Sequence, residues 1–109
     1  MKLGIYEHGR RVNAYEADAY DLTFGTVEDV LGALRLDNVQ LTNDTELVKL
    51  AVRFVGENMP LVKDLLKDIF EGITDEDIRK TKVKEVGVVL VEVVRYAFKE
   101  IQKGVSEKN

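Results

Sequence analysis

The sequence predicts a mainly α fold of the α+β class: an N-terminal β-hairpin followed by a bundle of four to five helices, all in one domain. Three observations predict it. Apolar and polar residues alternate across the first sixteen positions, on either side of His8-Gly9, which is the period of a strand turned back on itself. Beyond Thr26 the apolar residues recur three and four apart, the period of a helix. In the valine-rich stretch 83–101, residue type alone favours a sheet. There the polar residues Glu85, Glu92, Arg95, Lys99 and Gln102 are spaced seven, three, four and three apart, so they fall on one side of a helix.

Each element follows in order. Strands over 2–6 and 11–16 with a two-residue turn set Leu3 opposite Ala14, Ile5 opposite Val12 and Glu7 opposite Arg10. His8 is the only histidine, and a turn position with positive φ accounts for it better than ligation without a partner ligand. Tyr20, Leu22 and Phe24 alternate with Asp21 and Thr23, which predicts a third strand over 20–24. Thr26 with Asp29 approximates a capping box for a helix over 27–36 carrying Val27, Val30, Leu31 and Leu34. Asp37-Asn38-Val39-Gln40 is a polar connector. Asn43 with Glu46 then caps a helix over 44–56, which Gly56-Glu57-Asn58 ends.

Pro60 opens the next helix, 60–71, and Gly72 is placed to stop it as the left-handed residue past its end. Thr74 caps a short helix over 75–80. The carboxylates Asp75, Glu76 and Asp77 suit the positive end of its dipole and lack the spaced ligands of a calcium loop. The last helix covers 82–103, with Val83, Val86, Leu90, Val93, Val94, Ala97 and Ile101 on its apolar face. The hairpin region is thus 1–25 and the helical region 26–104, with a flexible tail over 105–109.

Composition bounds the function. A chain of 109 residues can bury roughly 65% of its unfolded surface, enough for one core. The net charge of −4, and the position of Arg79, Lys80, Lys82 and Lys84 directly behind three carboxylates, argue against nucleic acid. Without cysteine there is no disulfide or thiolate chemistry. The apolar run 86–91 is too short to span a membrane and the N-terminus does not read as a signal peptide, so a cytoplasmic protein is expected. No Gly-rich phosphate loop appears, nor a serine beside a base. The reading is therefore a non-enzyme without cofactor, metal or catalytic residues.

What one core does not use is apolar surface. Val88, Val89 and Tyr96 project near or within the polar arc of the last helix, and Gly87 sits inside its apolar arc, where a glycine allows a close backbone approach. The expected partner-binding residues are Val88, Val89, Val91 and Tyr96, with Leu61 and Leu65. Either the helical domain itself surrounds this helix on most sides, or a homo-oligomer or a separate partner covers them.

Larger segments carry a resemblance. An N-terminal Met-Lys-Leu-x-Ile-Tyr-Glu-x-Gly hairpin leads into Tyr15-Glu16-Ala17-Asp18. Leu47-Val48-Lys49-Leu50-Ala51-Val52 follows, then Asp68-Ile69-Phe70-Glu71-Gly72-Ile73-Thr74-Asp75-Glu76-Asp77-Ile78 and the valine-rich stretch. Together these resemble the tail assembly chaperones of long, flexible-tailed bacteriophages and of prophages in Gram-positive bacteria. The resemblance implies a protein of the host bacterial cytoplasm that binds the tape-measure protein, helps tail-tube subunits polymerise around it, and is left out of the virion. It further implies a longer form, made by a −1 frameshift, that recruits the tail-tube protein. Glu107-Lys108-Asn109 can be encoded by GAA-AAA-AAY, which holds the slippery sequence A-AAA-AAY. The alternatives are a small phage regulatory or DNA-associated protein and a head–tail connector subunit.

Overall fold

His8 and Gly9 both take positive φ, 52° and 78°, and this pair turns the chain back between β1 (Lys2–Glu7) and β2 (Arg10–Glu16). Such a two-residue turn matches the right-handed twist of the strands it joins. The computed structural model describes residues 1–34 and 44–107, with side chains over 1–33 and 45–99. After the hairpin come a 3-10 turn (Ala19–Asp21) and the helices α1 (Phe24–Leu34), α2 (Asp44–Glu57), α3 (Met59–Ile69), α4 (Asp75–Arg79) and α5 (Val83–Glu107). The expected mainly helical α+β architecture is the one observed.

The hairpin register departs from expectation by one residue. Glu7 pairs with Arg10, but Ile5 pairs with Asn13, Gly4 with Ala14 and Leu3 with Tyr15, so Val12 is an unpaired bulge residue. A bulge inverts the inward and outward sense of the strand beyond it. Val12 is accordingly 55% exposed, while Leu3 and Ile5 of β1 are buried.

The expected third strand over 20–24 is not formed, and the sheet of the described residues has two strands. Two side-chain caps outcompete extension there. Asp18 Oδ1 accepts from the Tyr20 N–H at 3.0 Å and starts the 3-10 turn. Thr23 Oγ1 accepts from the Thr26 N–H at 3.1 Å and starts α1 three residues before the expected position. Thr26, expected as the cap, is buried inside the first turn. The connector 37–40 and the expected cap Asn43 lie outside the described residues.

Helix α3 stops at Ile69 rather than at Gly72. Phe70 is extended (φ −111°, ψ 103°), and its N–H still donates to the Leu66 carbonyl at 2.8 Å. Leaving the helix there buries both Phe70 and Ile73, and Gly72 occupies the turn between them with φ 85°. At α4 the expected cap is complete: Thr74 Oγ1 accepts from the Asp77 N–H at 3.1 Å and Asp77 Oδ2 from the Thr74 N–H at 3.3 Å.

Helix α5 is the axis of the core. It packs on α2, α1, β1 and the 3-10 turn, so apolar residues around much of its girth are covered. Val86, Val89, Leu90, Val91, Val93, Val94 and Ala97 are all buried. Val83, expected on the buried face, is 49% exposed because it starts the helix one turn beyond the covered part.

Gly87 is where α2 comes closest. A Cβ on Gly87 would lie 2.9 Å from Val52 Cγ2 and 3.4 Å from Val52 N, and a β-branched side chain has little freedom to yield. Gly87→Ala gains about 1 kcal/mol of helix propensity but overpacks the seam by about 1–3 kcal/mol, so a net loss near 1 kcal/mol is expected. In a Val52→Ala background the same change is expected to stabilise. Urea midpoints of the four chains read this reversal of sign directly.

Candidate partner-binding surface

The fold divides the six expected partner-binding residues sharply. Val89, Val91 and Leu65 are core residues, 1%, 3% and 2% exposed, and no partner reaches them without unfolding the bundle. Tyr96 is half-buried, and its ring meets Tyr20 edge-on with centroids 5.4 Å apart. Only Val88 and Leu61 stand exposed, at 36% and 42%. Leu61 lines a cleft between α1, α2 and α3 together with Phe54 and Arg53, and Val88 lies outside it.

The polar arc of α5 is partly covered by the hairpin at Glu85. The Glu85 carboxylate accepts from the Gly4 N–H at 3.1 Å through Oε1 and from the Tyr6 hydroxyl through Oε2. Asp77 Oδ2 accepts from the Tyr15 hydroxyl at 2.6 Å, and Lys80 Nζ lies 2.6 Å from Glu7 Oε1. The Tyr6 N–H donates to the Lys80 carbonyl at 2.8 Å, and the Lys82 ammonium sits 4.2 Å from the Tyr6 ring centroid. The hairpin is thus fastened to α4 and the start of α5 by carboxylates.

These contacts fix the protonation states at the seam. Hydrogen bonding to Tyr15 lowers the Asp77 pKa, and Lys80 lowers that of Glu7. Burial pushes the Glu85 carboxyl up, but Tyr6, the Gly4 N–H, Lys82 and Arg11 together bring it below its ordinary value. The bonds to Glu85 and Asp77 raise the Tyr6 and Tyr15 hydroxyls respectively. Hydroxyl and carboxylate move away from neutral pH in opposite directions, so each pair holds the hairpin rather than exchanging a proton.

Linkage gives the sign of the pH dependence. Carboxyls lowered by folding stabilise the hairpin seam above their unfolded pKa and lose that contribution as pH falls through the folded value. The raised tyrosines contribute below their unfolded value and lose it as pH rises. Hydrogen exchange is therefore expected to show the protection factors of the β1 amides falling as pH drops below the ordinary carboxyl range, before those of α5 at 89–94.

A second, more apolar surface was not anticipated. A groove of about 400 Å³ lies between α3, α4 and the start of α5, floored by Val62, Leu66 and Val86. Its lips are Met59 and Val83, 57% and 49% exposed, and Lys63 and Arg79 also line it. The signal for this groove was present as a helical overhang. Met59 continues the stripe Val62, Leu66 and Ile69 by one turn, and Val83 continues Val86, Leu90 and Val93, each past the point where the core ends. Exposed Tyr20 and Phe24 were missed because the segment was expected to be a strand.

Among the described residues no group of three or more His, Asp or Glu side chains is placed to hold a metal ion, and no helix is long and apolar enough to cross a membrane. Comparison of this chain with protein-family models, with curated proteins and with solved structures finds no match.

Proposed function

We propose that this chain is a non-enzymatic tail assembly chaperone of a phage or prophage, acting in the host bacterial cytoplasm on the tape-measure protein. The observation that carries the reading is the set of apolar side chains standing exposed on a helical scaffold: Leu61, Val88, Met59 and Val83. Such side chains are suited to covering the apolar faces of long helices that would otherwise associate with one another. The sequence resemblance supplies the identity of those helices.

The mechanism is exchange of apolar surface. The chaperone shields amphipathic segments of the tape measure and is displaced when tail-tube subunits bind. Each side chain fully buried in such a contact contributes about 1.5–3 kcal/mol, so a few suffice for a reversible complex once the cost of association is subtracted. A longer frameshifted form would recruit the tail-tube protein.

The test is the soluble yield of tape-measure protein co-expressed with this chain. Wild type is expected to raise that yield, and Leu61→Asp with Val88→Asp to reduce the gain while leaving the chaperone folded. An unchanged yield with the doubly substituted chain would remove these two residues from the contact.

A further inference from the structure

We infer that the groove between α3, α4 and α5 is a docking site for an acidic amphipathic helix of another protein, with apolar side chains on its floor and carboxylates along its flanks. For the partner's identity the inference rests on the chaperone reading. The chemistry of the groove stands apart from it.

Three observations converge on that occupant. The floor is aliphatic and the lips are Met59 and Val83, a flexible thioether and a branched chain, both half in water. Methionine adapts to varied apolar ridges because its side chain is unbranched and polarizable. Lys63 and Arg79 line the groove, and neither makes an ion pair within 4 Å among the described residues, Lys63 acting on Asp75 only from a greater distance. This contrasts with Lys67 and Lys80 close by in sequence, which are held at 2.7 Å by Asp75 and 2.6 Å by Glu7. In a chain of net charge −4, two cations and no carboxylate lining a groove with exposed apolar lips select for negative charge in whatever covers it.

Met59 opens α3 and Val83 opens α5, so the first turns of two helices border the groove. A helix laid in the groove would bury residues spaced i, i+3, i+4 and i+7 and set its flanking carboxylates against Lys63 and Arg79. The position of the lips also makes the site testable without loss of fold. Aspartate is favoured in a first helical turn, so Met59→Asp and Val83→Asp place charge on the groove while suiting the helices that carry it.

The experiment uses two labelled synthetic peptides of about 18 residues, long enough for the i to i+7 spacing and sharing one leucine stripe, one flanked by glutamate and the other by lysine. Fluorescence anisotropy with the full chain is expected to show the glutamate peptide binding about tenfold or more tightly than the lysine peptide. Met59→Asp or Val83→Asp is expected to weaken the glutamate peptide by about tenfold or more, with an unchanged circular dichroism spectrum. Lys63→Gln and Arg79→Gln are each expected to weaken it by up to about fivefold and to flatten its salt dependence. Equal binding of the two peptides, no binding, or binding indifferent to Met59→Asp overturns the inference. So does self-association of the chain in sedimentation that Met59→Asp abolishes and the glutamate peptide does not compete, because a second copy is then the occupant. Tape-measure protein still retained by the Met59→Asp chain also overturns the groove while leaving the chaperone reading intact. If wild type captures no tape-measure protein, that reading fails whatever the peptides do.

Discussion

Val89→Asp is expected to leave no folded chain, whereas Val88→Asp, one residue away, is expected to fold normally. Val89 is 1% exposed against 36% for Val88. An aspartate at 89 is either ionised without a partner or neutral at the expense of its pKa, and the penalty is several kcal/mol. A domain of this size is stable by about 5–15 kcal/mol, so a loss of at least about 4 kcal/mol removes most of the stability of a domain at the lower end of that range. At 88 the same side chain reaches water and the change stays within about 1 kcal/mol. Circular dichroism at matched concentration reads the contrast. Two equally folded variants would show that α5 is not enclosed on the Val89 side.

Phe70→Ala is expected to cost about 3–5 kcal/mol and to lower the melting temperature by about 15–30 °C. Phe70 is the largest of the fully buried side chains, 1% exposed, and it follows directly on α3 in extended conformation. Truncation removes its buried surface and leaves a cavity that the turn through Gly72 and Ile73 closes only in part. Leu61→Ala, at the other end of α3, provides the control, since a side chain already 42% exposed has less burial to lose. A thermal shift for Phe70→Ala no larger than that of Leu61→Ala would contradict the packing described.

The features legible in the sequence were those decided by a few adjacent residues. His8-Gly9 fixed the turn, Thr74 with Asp77 fixed the start of α4, and the spacing of Glu85, Glu92 and Arg95 made α5 a helix despite its valines. Gly87 was read correctly as a point of close approach, and the approaching element is α2 at Val52. What could not be read depended on the number and position of neighbours. A bulge at Val12 changes the phase of β2 without changing its composition. Alternation over five residues could not separate a third strand from the capped turns that Asp18 and Thr23 make there.

The candidate surface was misplaced for a related reason. Polar residues on a helix mark its solvent side only when nothing polar packs there, and the hairpin packs on Glu85 through Gly4 and Tyr6. The covered arc of α5 is therefore wider than its apolar stripe, and it takes in Val89 and Val91. Besides Leu61 and Val88, exposed apolar surface lies where the stripes of α3 and α5 outrun the core, at Met59 and Val83. A helical projection contains that overhang but not the place where the neighbouring elements stop.

Co-purification of the tape-measure protein with this chain, from cells producing both, tests the proposed chaperone function. A soluble complex that survives size-exclusion chromatography is the predicted result. Tape-measure protein that remains insoluble, or that elutes free of this chain, would contradict it.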